Sequence, residues 1–219
     1  MSLKKSYYLD QIEVNKINGT RSELGFREMY TLDFLARQHN FFLKSGHSLL
    51  DLGCGDKYIE TAALSRGLKY TGTDIDQVHF ERDQLPFEDE QFDVVVSYAV
   101  IEHLYSPEFF LSEIYRVLKK GGLVLLSTPN WIMDYRNFYN DPTHVKPYTP
   151  ESLERVMRLS KFSDIRSYPG LRCKPLWYYT GKYKFLKAFY LLPFRGQSKF
   201  IPEFLKGHAR SIFAIAIKQ

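Results

Sequence analysis

The chain is 219 residues long and 44% hydrophobic, with a formal net charge of +5 at pH 7. That length accommodates one large α/β domain with ample material for a core. Cys54 and Cys173 are too far apart for a disulfide framework or a zinc-binding spacing. With neither an apolar leader nor a membrane-length apolar run, a cytoplasmic, reducing compartment is the expectation.

The charge is unevenly spread. Residues 172–219 hold ten Lys or Arg and a single acid, Glu203, whereas residues 1–171 hold twenty bases against twenty-four acids. An acidic body with a basic C-terminal quarter suggests a surface that meets something anionic.

Residues 1–46 read as an N-terminal helical cap. Phe26, Met29, Leu32, Leu35 and Phe42 predict a helix over 24–44, broken at Gly46, that covers the sheet or a ligand crevice. Next, Leu49-Leu50-Asp51-Leu52 is an apolar strand that runs into Gly53-Cys54-Gly55. Glycine at 53 and 55 lets the backbone turn tightly and approach a ligand, where a Cβ would intrude. Asp51, at the strand end, faces the same crevice, and Cys54 is a small filler in the turn rather than a nucleophile. The strand Lys69–Thr73 then ends in Asp74, nineteen residues after Gly55. An acid at that distance is where nucleoside-binding α/β folds place their ribose-hydroxyl acceptor.

Leu85-Pro86-Phe87 precedes a buried strand over 91–97, and Val100-Ile101-Glu102-His103-Leu104 follows it. Ser106-Pro107 is a helix start, an N-cap with proline in the first turn. Phe110, Leu111, Ile114, Val117 and Leu118 keep helical spacing up to a stop at Gly121-Gly122. The apolar strand Leu123–Leu126 leads to the turn Ser127–Asn130. Thr149-Pro150 opens a second helix with Leu153, Val156 and Met157 on its inner face, and Ile212–Ile217 is a final apolar strand. Alternating strands and helices predict a parallel, doubly wound sheet.

In combination, the LDLGCG turn and the LPF, FDVV, EHL and LKKGG strings resemble the class I S-adenosylmethionine-dependent methyltransferases, in their broad small-molecule branch, over residues 47–170. The resemblance implies a Rossmann-like α/β core over 47–171, with a closing strand within 208–219 antiparallel to the strand 123–126. It also implies S-adenosylmethionine as cofactor. Gly53 and Gly55, with Cys54 between them, would contact the methionine portion, and Asp51 would sit near its amino group. Asp74, followed by Ile75, would bind the ribose hydroxyls, and Glu81 or the competing Asp83 would meet the adenine. Ser97, Tyr98 and Ala99 would lie beside the sulfonium. A nicotinamide dinucleotide fits less well, because its fingerprint wants a third glycine where this chain has Tyr58.

One departure from the family stands out. Six residues separate Asp74 from Glu81, where the family usually inserts a helix and then a third strand. A parallel crossover needs about a dozen residues or more. A shortened sheet edge is therefore expected, with the adenine pocket walled mainly by a loop.

Methyl transfer from a sulfonium is an in-line displacement, so the protein mostly holds donor and acceptor at near-attack distance. A hydroxyl or amine acceptor also needs a base. His103 follows the strand 91–97, and a histidine takes a proton near neutral pH without much tuning. Asp141–Thr149 resembles an HVxxYTPESL element of methyltransferases from glycan, lipid and quinone pathways. Its two prolines would point His144 and Tyr148 towards the acceptor. His144 is preferred over His103 as base by a narrow margin. Glu102, Asp141 and His144 have metal-ligand chemistry, but their spacing fixes no geometry, and no metal site is assigned.

Residues 172–207, between the last two strands, contain ten aromatics and eight bases. Three readings compete: a cap on an anionic membrane surface or lipid-linked acceptor, a single-strand nucleic-acid grip, or aromatics buried against the sheet or a dimer partner. The structural reading has the highest base rate; of the functional two the first is preferred, and nucleic acid is disfavoured. The overall expectation is a methyltransferase, monomer or homodimer, acting on a hydroxyl of a sugar, lipid-linked glycan or other small molecule. N- or C-methylation is the alternative within enzymes, and a catalytically inactive nucleoside-binding partner is the alternative outside them.

Overall fold

In a computed structural model, residues 3–18, 22–169 and 210–219 are described. The basic aromatic segment 172–207 lies outside the described residues. Among the described residues, six strands form one sheet in the order β2-β1-β3-β4-β6-β5. They are β1 Ser48–Leu52, β2 Lys69–Thr73, β3 Phe92–Tyr98, β4 Leu118–Pro129, β5 Ser163–Pro169 and β6 Ser211–Ile217. Strands β2, β1, β3 and β4 run parallel, while β6 is antiparallel to both neighbours. Leu123 pairs with Ile217 and Leu126 with Ala214, which places the closing strand where the family resemblance puts it.

Helices cover both faces. On one, α2 (Ser22–Gln38) lays Met29, Leu32, Leu35 and Ala36 on Leu49, Val94, Val96, Leu123 and Leu125. The short α3 (Glu60–Leu64) adds Ala62 and Ala63 to the same layer. On the other, α4 (Pro107–Val117) and, beyond the short α5 (Trp131–Asp134) in sequence, α6 (Pro150–Leu159) contribute Phe110, Leu111, Ile114, Leu153 and Met157, packed on Leu50, Val95, Val124 and Ala214. The central strands thus carry near-continuous apolar runs, as strands buried on both faces must.

The helix predicted over 24–44 ends earlier. Asn40 takes a left-handed φ of +56°, and the chain leaves α2 at Gln38, so Phe42 projects from the following loop and is exposed. Ser106 also departs from its predicted part, since its hydroxyl makes no capping bond. Its amide instead donates to Glu81 Oε1 at 2.9 Å, tying the start of α4 to the loop after β2. Thr149 does cap α6: its hydroxyl accepts from the Ser152 amide while Ser152 Oγ accepts from the Thr149 amide.

No strand forms between Thr73 and Phe92, so the sheet ends at β2. Val78, Phe80 and Leu85 instead drop from this loop into the core, with the Phe80 ring 5.3 Å from that of Phe110. The loop backbone is held from α4. The Arg116 guanidinium donates to the Leu85 and Phe87 carbonyls, and Glu113 accepts from the Leu85 amide at 2.8 Å. A charge-assisted clamp thus does what a ladder of strand hydrogen bonds would otherwise do.

Candidate active site

The sheet reverses its winding between β1 and β3, and the crevice beyond the strand ends at such a switch point is the usual ligand site of an open α/β sheet. Gly53 and Gly55 sit there with φ of +78° and +53°. A Cβ on Gly53 would stand 2.3 Å from Val100 Cγ2, so the turn and the segment after β3 touch only because position 53 is glycine. Gly53 N donates to the Thr73 carbonyl at 2.9 Å, and Gly55 N to Asp74 Oδ2 at 2.6 Å. Across the crevice Ala99 holds a left-handed φ of +55°, fixed by its amide bonding to the Ser127 carbonyl. Backbone strain of this kind collects at ligand sites.

Two cavities meet at Gly53, Gly55 and Ala99. The larger, about 510 Å³, is bounded by Asp74, Ile75, Glu81, Asp83, Val100 and His103, among others. The smaller, about 230 Å³, lies against Glu28, Cys54, Tyr58, Tyr98 and Ser127. The larger has the size of a small-molecule site. Asp74 faces it with both carboxylate oxygens already bonded, to the amides of Gly55 and Ile75. Burial raises its pKa, against those two amides, which lower it. Glu81 and Asp83 both reach this cavity from the loop that replaces the third strand. Glu81 is tied to the Ser106 amide and Asp83 to the His79 amide.

Four predicted positions do not line the cavities: Ser97, Asp51, Tyr148 and the preferred base His144, which lies beside His103. Ser97 lies within β3, buried, with its hydroxyl donating to the Leu52 carbonyl at 2.9 Å, so it fastens β3 to β1. Asp51 is buried beneath the turn, where its carboxylate accepts from the Tyr70 hydroxyl at 2.9 Å. Tyr148 sits in the apolar core, 2% exposed, and its backbone carbonyl takes the Trp131 amide. The prolines around it fix the loop, but the ring's apolar area is satisfied inward rather than at the acceptor.

Cys54 is buried at the turn. Burial and the charges of Asp51 and Asp74 push its thiol up to about 12, which suits a filler and not a nucleophile.

The residues proposed for proton transfer form a compact group. Glu102 and His103 lie in a 3-10 turn, Ile101–His103, and the loop after β4 packs against it. Val145 and Lys146 donate their amides to the Glu102 carbonyl. The His103 and His144 rings are 4.7 Å apart. His103 is on the wall of the larger cavity, with the His144 ring packed beside it at a tilt of 51°. His103 Nδ1 lies 3.2 Å from the Thr143 carbonyl, and His144 Nδ1 lies 2.6 Å from that of Phe138. Glu102 is fully buried, and one oxygen accepts from the Thr128 hydroxyl at 2.9 Å. Burial outweighs its hydrogen bonds and pushes its carboxyl up to about 8.

Sequence reasoning missed several contributors. Tyr8 and Ile12 of α1 (Leu3–Asn18) close the larger cavity, with the Tyr8 ring edge-on to His103 at 5.2 Å. Glu28 reaches the smaller cavity from α2, and nothing in its helical spacing marks it out. Gly25 was legible in principle as a glycine inside a helix: a Cβ there would stand 2.0 Å from the Tyr58 carbonyl oxygen.

The fold is an open, doubly wound α/β sheet with its cavities at the switch point between β1 and β3. Residues 26–166 match the model of a methyltransferase domain family, and the chain belongs to that family. It is similar to a probable S-adenosylmethionine-dependent methyltransferase of Mycolicibacterium smegmatis, 30% identical over 135 residues, which are 54% of this chain and 52% of that protein. It is also similar to an uncharacterized methyltransferase of Mycobacterium tuberculosis, 36% identical over 104 residues, 40% of this chain and 41% of the other. The chain thus spans about half the length of the curated relatives it matches. Among solved structures, its fold is similar to that of an S-adenosylmethionine-dependent methyltransferase from Archaeoglobus fulgidus, with a TM-score of 0.58 and 21% identity, covering 88% of this chain and 94% of that one. A phosphoethanolamine N-methyltransferase of Haemonchus contortus in complex with S-adenosylmethionine gives a TM-score of 0.55 and 22% identity, over 86% of this chain and 52% of that one. S-adenosylmethionine is named for the Mycolicibacterium relative and bound in the Haemonchus structure. The residues present fit it: a glycine turn that admits close backbone approach, and a carboxylate, Asp74, in the same cavity.

Proposed function

We propose that this chain transfers the methyl group of S-adenosylmethionine to a hydroxyl of a small molecule, a sugar or a lipid-linked glycan. The observation that carries this reading is the position of His103, on the wall of the cavity that Asp74 also bounds. A nucleoside held at Asp74, with its methionine portion over Gly53 and Gly55, has its sulfonium near the Ala99 side of the crevice. The acceptor then enters beside Tyr8 and His103, and its proton leaves at the Glu102–His103–His144 cluster. Displacement at a sulfonium has a good leaving group. Most of the barrier lowering therefore falls to positioning, with proton removal adding a factor of roughly 10²–10⁴.

Calorimetric titration with S-adenosylmethionine, S-adenosylhomocysteine and NAD, followed by radiolabelled methyl transfer to panels of hydroxyl and amine acceptors, tests the reading. Binding of the two adenosyl ligands without NAD, and label on hydroxyls, supports it. Label confined to amines overturns the acceptor class, and silence towards both adenosyl ligands overturns the transferase.

A further inference from the structure

We propose that Glu102, His103 and His144 form a site for a divalent transition-metal ion of the zinc, cobalt, iron or manganese type. One donor atom from each residue lies within 4.8 Å of the other two. With bonds of 2.0–2.1 Å at tetrahedral angles, donors stand about 3.3 Å apart, a closure that small side-chain rotations supply. Two imidazoles and one carboxylate favour such borderline metals over magnesium or calcium, which prefer all-oxygen shells.

The surroundings point the same way. A backbone carbonyl can only accept a hydrogen bond. The contacts of His103 Nδ1 with the Thr143 carbonyl and of His144 Nδ1 with the Phe138 carbonyl therefore put the proton on Nδ1 in both rings. Nε2 is then the ring atom that carries the lone pair, the tautomer that outer hydrogen bonds impose on metal-binding histidines. Glu102 is the second, independent observation. Its side chain is fully buried, Oε2 accepts from Thr128, and Oε1 has no hydrogen-bond partner among the described residues. A buried carboxylate oxygen left so is costly unless something positive meets it. A further carboxylate, Asp141, stands beside the group, with its Oδ2 4.0 Å from His144 Nε2. Three protein ligands leave coordination positions open towards the cavity that His103 borders.

The site deepens the methyl-transfer reading and rests on it for its purpose, though not for its test. An acceptor hydroxyl bound at an open position loses its proton to water more readily. Its oxygen then forms the new O–C bond as the C–S bond breaks, and the sulfonium keeps that electron pair as a neutral thioether. The histidines hold the metal instead of taking the proton themselves.

The experiment strips the full chain with EDTA and titrates it with Co²⁺ in the absence of cofactor and acceptor, reading the visible d–d absorption. One saturating equivalent is expected, displaced by Zn²⁺ and not by excess Mg²⁺. Glu102→Gln and His144→Ala should each weaken binding at least about tenfold, while His47→Gln, far from the cluster, should not. Because Glu102 is buried, its variant is first checked for a native circular dichroism spectrum, and His144→Ala alone decides if that check fails. Absence of a saturable band, or a band that His144→Ala leaves unchanged, overturns the site. Such a failure leaves methyl transfer untouched, since neither donor nor acceptor enters the measurement.

Discussion

Gly55 and Asp74, nineteen residues apart, are joined by a 2.6 Å hydrogen bond from the Gly55 amide to Asp74 Oδ2. The glycine turn after β1 and the acid after β2 are therefore one unit: the carboxylate that faces the cavity also sets the shape of the turn. Asp74→Ala should reduce S-adenosylhomocysteine affinity by about ten- to a hundredfold, the loss of one or two charge-assisted hydrogen bonds. Calorimetry reads this directly, and an unchanged dissociation constant would remove Asp74 from the site.

Gly53→Ala brings a Cβ against Val100 at a φ of +78°. Strained backbone alone costs on the order of 1–3 kcal/mol, and the contact adds to it. Adding Val100→Ala should remove the contact and leave the backbone penalty, so the double variant recovers part of the lost melting temperature and no more. Full recovery would mean that the left-handed backbone is not what requires glycine.

Asp93 links three strands through Ser48 at the start of β1 and Lys119 at the start of β4, with Oδ2 2.8 Å from the Ser48 amide. Burial raises its pKa, but these partners outweigh it and hold the carboxyl at about 2 against an ordinary 3.8. A depressed folded-state pKa contributes stability that is present above pH 3.8 and lost as pH falls towards 2. Asp93→Asn should therefore lower the melting temperature at pH 6, and the gap to the parent should narrow below about pH 4. Melting curves across that range check it; a gap that stays constant in acid rules out the ionised carboxylate as the cause.

With its thiol pushed up to about 12 and 4% exposed, Cys54 should resist alkylation in the native state at pH 8. Peptide mapping after iodoacetamide should find Cys54 modified only once denaturant is added. Rapid native labelling would show that the turn opens.

The sequence by itself determined the order of the core elements, the glycine turn, the acid after β2, and the lost strand. Each is a local signal: a run of apolar residues, a residue type that a backbone angle demands, or a spacing too short for a crossover. Asp74 and His103 were legible as crevice residues because strand ends in a parallel sheet all point to the same side, whereas Glu81 and its competitor Asp83 were legible only through the family resemblance. Side-chain direction was not legible. Ser97 and Tyr148 carry reactive hydroxyls next to the crevice in sequence, yet the sheet turns one into a cross-strand bond and the core takes the other's ring. The tertiary structure alone decided that Tyr8 closes the cavity and that His144 packs beside His103, because packing brings together side chains that the chain separates by about forty residues or more. The burial of Glu102 is decided the same way: the loop after β4 folds over it, and no neighbour in sequence announces a carboxylate without water.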